Sequence, residues 1–101
     1  NVQGQAATLH QLGSLKYKQG EIDDAIQLFE TALRTNRQIG YLPGLPPTLS
    51  WLAGIAEQRG DIAQAETYLQ EALAIAQRVG FPEAAGYQSQ LARLQSPPEQ
   101  A

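Results

Sequence analysis

Apolar residues return every three or four positions along most of this chain, the spacing of one buried face on an α-helix. From Val2 to Gln19 the apolar or small positions are Ala6, Leu9, Leu12, Gly13 and Leu15, followed by Tyr17. A second helix is predicted over Glu21 to Gln38, with an inward stripe of Ile22, Ala25, Ile26, Leu28 or Phe29, Ala32 and Leu33. Asp23 and Asp24 at its start and Arg34 and Arg37 near its end suit the helix dipole. Leu42 to Pro47 interrupts the pattern, because Pro46 and Pro47 remove two backbone donors. Proline is tolerated in the first turn of a helix, so a third helix is predicted to open near Pro46 or Pro47. It runs through Leu49, Leu52, Ala53, Ile55 and Ala56 to Arg59. Asp61, with Gln64 three residues on, imitates a capping box for a fourth helix. Its stripe is Ile62, Ala65, Leu69, Ala72, Leu73, Ala76 and Val79. A fifth is predicted to start at Pro82, with Ala85, Leu91, Ala92 and Leu94 on one side, and the polar tail 96–101 is expected to fray. Gly20, Gly40, Gly60 and Gly80 punctuate the helices as left-handed stops.

The stops stand at a regular period, and so does the rest. Leu9, Leu12, Gly13, Gly20, Ala25, Phe29 and Ala32 align with Leu49, Leu52, Ala53, Gly60, Ala65, Leu69 and Ala72, each forty residues on. Leu91, Ala92 and Leu94 continue the first half of the unit, thirty-nine residues after Leu52, Ala53 and Ile55. A period of this length is the signature of a helical repeat. Small residues recur where the helices of a pair must cross closely, Gly13 with Ala25 and Ala53 with Ala65. Each pair would leave an apolar face open, so the units must stack.

Leu9-x-x-Leu12-Gly13, Lys18 to Ala25 across the turn, and Ala25-x-x-x-Phe29-x-x-Ala32 resemble the tetratricopeptide repeat. The resemblance covers about Ala6 to Gln95 and implies an all-α fold: a right-handed α-α superhelix of two helix hairpins plus a further capping helix. It implies a single domain over 1–95, with unit one at 6–40, unit two at 46–80 and a partial third at 82–95. The departures are consistent among themselves. Leu9 and Leu49 replace the family's Trp, Lys16 and Ala56 its Tyr, and Arg37 and Gln77 its helix-ending Pro. Without that Pro the second helix runs on to Gly40 or Gly80, which accounts for forty residues instead of the usual 34. Such long units are similar to those of kinesin light chains and of bacterial signalling ATPases and regulators.

Composition narrows the partners. The 101 residues are 43% hydrophobic, which argues against disorder, and carry a net charge of −3 with seven scattered Lys and Arg. Nucleic acid and anionic membrane surfaces are therefore not expected as partners, since both need clustered positive charge. No apolar run approaches the ~20 residues of a membrane span. The chain has no Cys and one His, His10, so a catalytic triad and a multi-His or thiolate metal site are not expected, nor is a cofactor. It also has no Met, and is expected to be an excised segment or a processed chain. The compartment is left open, with a cytoplasmic one favoured.

The resemblance also implies a partner: a protein or peptide, bound on the inner face built by the first helix of each pair. Carried over by position, the groove residues are Ala7, His10, Gln11, Ser14, Tyr17 and Lys18 in the first unit. Pro47, Ser50, Trp51, Gly54, Glu57 and Gln58 follow in the second, and Gly86, Ser89, Gln90 and Arg93 in the third. His10 and Ser14 stand where the carboxylate-clamp members of the family place Lys and Asn, so capture of a C-terminal carboxylate is not expected. His10 is read as a solvated surface residue before a ligand contact. Trp51 is weighed equally as a groove anchor and as packing for the loop at Tyr41, Leu42 or Leu45. Lys16, Lys18 and Arg93 would attract an acidic peptide unless they are merely solvated. The alternative role is homo-oligomerisation through exposed end faces, with Leu28, Phe29 or the last helix pairing with a second copy.

Overall fold

The computed structural model describes residues 1–96, so the expected fraying of 97–101 lies outside the described residues. Five α-helices follow one another: α1 Val2–Lys18, α2 Ile22–Ile39, α3 Leu45–Gln58, α4 Ile62–Val79 and α5 Ala84–Gln95. A 3-10 turn, Leu42–Gly44, leads into α3, and there is no strand among the described residues. The architecture is the all-α helical repeat. α1 packs along α2 and α3 along α4, while α2 also meets α3 and α4 meets α5. The result is a slab of 48 × 33 × 18 Å.

The local chemistry explains the ends. Asp61 Oδ1 accepts from the Gln64 N–H at 3.2 Å, the capping contact that its spacing suggests. The four stops all have positive φ, between 70° and 82°, the left-handed region open to glycine. The next N–H closes the helix end in each case. Glu21 N–H reaches Lys16 O at 2.9 Å, and Asp61 N–H reaches Ala56 O at 2.9 Å. Tyr41 N–H reaches Asn36 O at 2.9 Å, and Phe81 N–H reaches Ala76 O at 2.8 Å. Gly20 and Gly60 thus occupy equivalent bends.

α3 opens at Leu45, next to the expected start near Pro46 or Pro47, with Pro46 inside its first turn and the 3-10 turn feeding it directly. α5 begins at Ala84, not at Pro82. Pro82 sits in a turn in which Ala84 N–H bonds Phe81 O at 3.2 Å, and a proline's preset φ suits that position.

The core centres on Phe29, Leu49 and Leu69, all fully enclosed, with Ala25, Ala32, Ala65 and Ala72 where the helices cross. Of the pair Leu28 or Phe29, Phe29 is the buried one, which also removes it as an exposed end face. Other stripe positions depart from expectation. Leu12 and Leu15 are 43% and 48% exposed, whereas their repeat equivalents Leu52 and Ile55 are each 3% exposed. The difference is positional: α2 covers α3, and no helix among the described residues covers α1 in the same way. Ile62 is exposed in the first turn of α4, and on α5 Ala85 and Ala92 face outward while Tyr87 and Leu91 are buried. Asn36 and Thr48 are the buried polar residues that periodicity did not flag.

Candidate partner-binding groove

α1, α3 and α5 supply the expected groove positions, and two depressions open along them. The smaller, about 180 Å³, is lined by Tyr17, Ser50, Trp51, Gly54, Ile55 and Gln58. Five of those six are residues that the repeat register places in the groove. Its aromatic wall is built from the core outward. The Trp51 ring stacks on Phe29 at 5.4 Å, and the Tyr17 ring meets Trp51 edge-on at 5.3 Å. The Tyr17 hydroxyl accepts a hydrogen bond from Gln58 Nε2, tying the end of α1 to the end of α3. Gly54 leaves the floor open: a Cβ there would meet nothing within 4 Å. Trp51 is therefore half-buried against Phe29 and Tyr17, and its ring partners do not include Tyr41 of the preceding loop.

The larger depression, about 540 Å³, lies two helical turns away. Ala7, His10, Gln11 and Pro47 line it from the expected groove set, joined by Asn36, Tyr41 and Thr48 among others. His10 is not the solvated surface residue expected. It is half-buried, its Nδ1 shares a hydrogen bond of 2.9 Å with Thr48 Oγ1, and its ring meets Phe29 edge-on at 5.5 Å. Burial pushes its pKa below the ordinary imidazole value, so the ring is neutral at physiological pH.

The charged candidates are mostly satisfied within the protein. Arg93 on α5 donates to both carboxylate oxygens of Glu57 on α3, at 2.6 and 3.0 Å. That hydrogen bond holds the Glu57 carboxyl below its usual range and raises the Arg93 guanidinium. Lys16 pairs with Glu21 at 3.4 Å. Ser14 turns its hydroxyl back to Gln11 O at 2.9 Å. Lys18 and Ser89 are exposed. His10 and Glu57 are not brought together in a hydrogen bond; each has a different partner. Among the described residues no group of three His, Cys, Asp or Glu side chains is placed to hold a metal ion.

Asn36, Tyr41 and Gly44 line the larger depression although the repeat register does not place them in the groove. One signal was available for Asn36: it is a polar residue at the repeat position where Ala76 stands. Tyr41 and Gly44 depend on the path of the loop before α3, which no periodicity encodes.

A family model described as tetratricopeptide repeat matches residues 4–78, from the first helix to the end of the fourth. No match to a curated protein was found.

Proposed function

Because the chain belongs to the tetratricopeptide repeat family, we propose that it binds a peptide or helix of a partner protein in the groove along α1, α3 and α5. Tetratricopeptide repeats are generally non-catalytic modules for binding proteins or peptides. The observation that carries the groove reading is the notch at Tyr17, Trp51, Gly54 and Gln58. An aromatic wall, an empty glycine floor and hydrogen-bonding tips together are what a buried partner side chain needs as an anchor site. The chain would act as a segment of a larger scaffold or regulator.

Nucleic acid fits this role poorly. Four of the seven Lys and Arg, Lys16, Arg37, Arg59 and Arg93, already face carboxylates in ion pairs. No helix among the described residues is long and apolar enough to cross a membrane. A non-catalytic role agrees with the family and with His10, whose hydrogen-bond partner is a hydroxyl and not the carboxylate that would orient a general base.

Gly54→Leu is the variant that tests the groove. It fills the notch without entering the core, and leucine is the better helix former, so the fold is retained. Peptides selected from a displayed library on the unaltered chain should lose at least about tenfold in affinity for it, about 1.4 kcal/mol. Unchanged affinity with unchanged circular dichroism would place the binding surface elsewhere. Trp51→Ala is the poorer variant, because stripping the ring from Phe29 damages the core as well as the groove.

Self-association is the second reading, and α1 favours it, since Val2, Leu12 and Leu15 are all more than 40% exposed. Sedimentation velocity over a wide concentration range should then show a dimer that Leu12→Glu with Leu15→Glu dissolves. A monomer at every concentration removes this reading.

A further inference from the structure

The notch at Tyr17 and Trp51 carries more hydrogen-bond donors than the protein uses. No hydrogen bond among the described residues engages the Trp51 indole N–H or the Ser50 hydroxyl. Both stay open to solvent, because Asn36 Oδ1 is the one side-chain N or O among the described residues that is buried without a partner. Gln58 Nε2 and the Tyr17 hydroxyl share a single hydrogen bond. Whichever way the carboxamide is turned, that pair keeps two N–H or O–H protons unspent. The wall thus offers one donor from Ser50, one from Trp51 and two from the Tyr17–Gln58 pair, beside aromatic rings and over the bare Gly54.

It offers no charge. Ile55 completes the lining, and none of the residues there is an acid, a lysine, an arginine or a histidine. Glu57, beside Gln58 in the chain, is engaged at both oxygens by Arg93. An ammonium or carboxylate entering the notch would shed water and meet no opposite charge. An ordinary apolar residue would fill the notch, but it brings a backbone N–H to a wall already rich in donors. Proline is apolar and has no N–H, so its stretch of backbone presents acceptors alone. In a polyproline II helix those carbonyls make no internal hydrogen bonds and are free to accept from outside.

We infer that the notch receives a proline from a polyproline II segment of the partner, its ring over Gly54 against the Tyr17–Trp51 wall and a neighbouring carbonyl accepting from the Trp51 indole. This rests on the groove reading and names the ligand that the groove takes. Such a segment is ordered before it binds, so an aromatic-lined groove captures it at low entropic cost. The spacing of the donors fits as well. Trp51 and Gln58 are seven residues apart on α3, about 10 Å along its axis. One turn of polyproline II, three residues, rises about 9 Å. In a segment laid along α3, the carbonyl one turn on from that at Trp51 therefore stands level with Gln58.

Trp51 is the only tryptophan, so its fluorescence and its single indole N–H resonance report on the notch directly. The test is a titration of the ¹⁵N-labelled chain with blocked hexaproline. Both signals should move and saturate, with a Kd on the order of millimolar for so small a ligand. Blocked hexamers alternating glycine with leucine, glutamate or lysine are the controls, and each should bind at least about tenfold more weakly. Gly54→Leu should weaken hexaproline at least about tenfold with unchanged circular dichroism. Trp51→Phe keeps an aromatic ring on Phe29 and removes the N–H. Followed at the Gly54 amide, it should lose about fivefold, the worth of one hydrogen bond. The inference is overturned if the unaltered chain shows no saturating change, if any control hexamer binds as tightly as hexaproline, or if either variant binds hexaproline as the unaltered chain does. Should library peptides still depend on Gly54 in that event, the groove reading stands and only the proline site falls; if they do not, both fall.

Discussion

Gly13 and Phe29 are a matched pair. A Cβ on Gly13 would sit 2.8 Å from Cδ1 and Cε1 of the Phe29 ring. In the second unit the same two places hold Ala53 and Leu69, a larger residue on one helix and a smaller one on the other. Gly13→Ala should therefore destabilise the chain by about 1–3 kcal/mol through overpacking, outweighing the ~1 kcal/mol that Ala gains in a helix. Adding Phe29→Leu should recover part of the loss, because it restores the combination used by the second unit. Urea unfolding of the single and double variants checks this, and additive losses would show the two sites to be uncoupled. His10 makes a pH prediction at the same scale. Burial lowers its folded-state pKa below the unfolded value near 6.5. Between those two values the unfolded chain binds more protons, so stability rises with pH there. The stability is full above about 6.5 and is lost as the pH falls from that point toward the folded pKa. His10→Gln should flatten the change in urea midpoint between pH 7.5 and 5.5. An undiminished change would assign it to the carboxylates.

At the scale of the helix, the two units solve one problem with different residues. α2 and α4 are each eighteen residues long, follow a glycine bend and end on a left-handed glycine. Asp61 caps α4 with its side chain, whereas Glu21 at the equivalent place makes no such bond and reaches Lys16 instead. Glutamate is one methylene too long to fold back onto the N–H groups of the first turn. Asp61→Ala should cost about 1 kcal/mol, and Glu21→Ala only a few tenths, the worth of an exposed ion pair. Thermal melts of the two variants separate the cases, and equal losses would contradict the capping geometry. The helix spans, the bends and the Asp61 cap were legible in the sequence because each depends on neighbours within a turn. The start of α5 was not, since a proline can occupy either the first helical turn or the turn before it, and Pro82 takes the second place.

For the whole molecule, stacking decides what becomes of an apolar stripe. Leu12 and Leu52 share a place in the unit, yet one is exposed and the other buried, because α2 lies over α3. Bridges between helices follow the same layering. Arg59 reaches Asp23 at 2.7 Å, Arg37 reaches Glu71 at 2.8 Å and Arg93 reaches Glu57 at 2.6 Å. All are exposed or nearly so, and each is worth about 1 kcal/mol at most. They lock neighbouring helices in register more than they hold the stack together, which burial of Phe29, Leu49 and Leu69 does. They also remove Arg93 from the set of cations open to an acidic partner. Glu57 and Arg93 both belong to the expected groove, but nothing in either local sequence announced that they face one another.

By itself the sequence determined the five helices, their glycine bends, the forty-residue unit and hence the family, because helical period and turn chemistry are local and repeat with the unit. Only the tertiary structure decided the company that each groove residue keeps. It stacked Trp51 on Phe29, bonded His10 to Thr48, left Asn36 Oδ1 without a partner and opened a notch over Gly54. Those outcomes depend on how far the proline-rich turn carries α3 across α1 and α2. That path is fixed by packing between residues about forty positions apart, which no local pattern records.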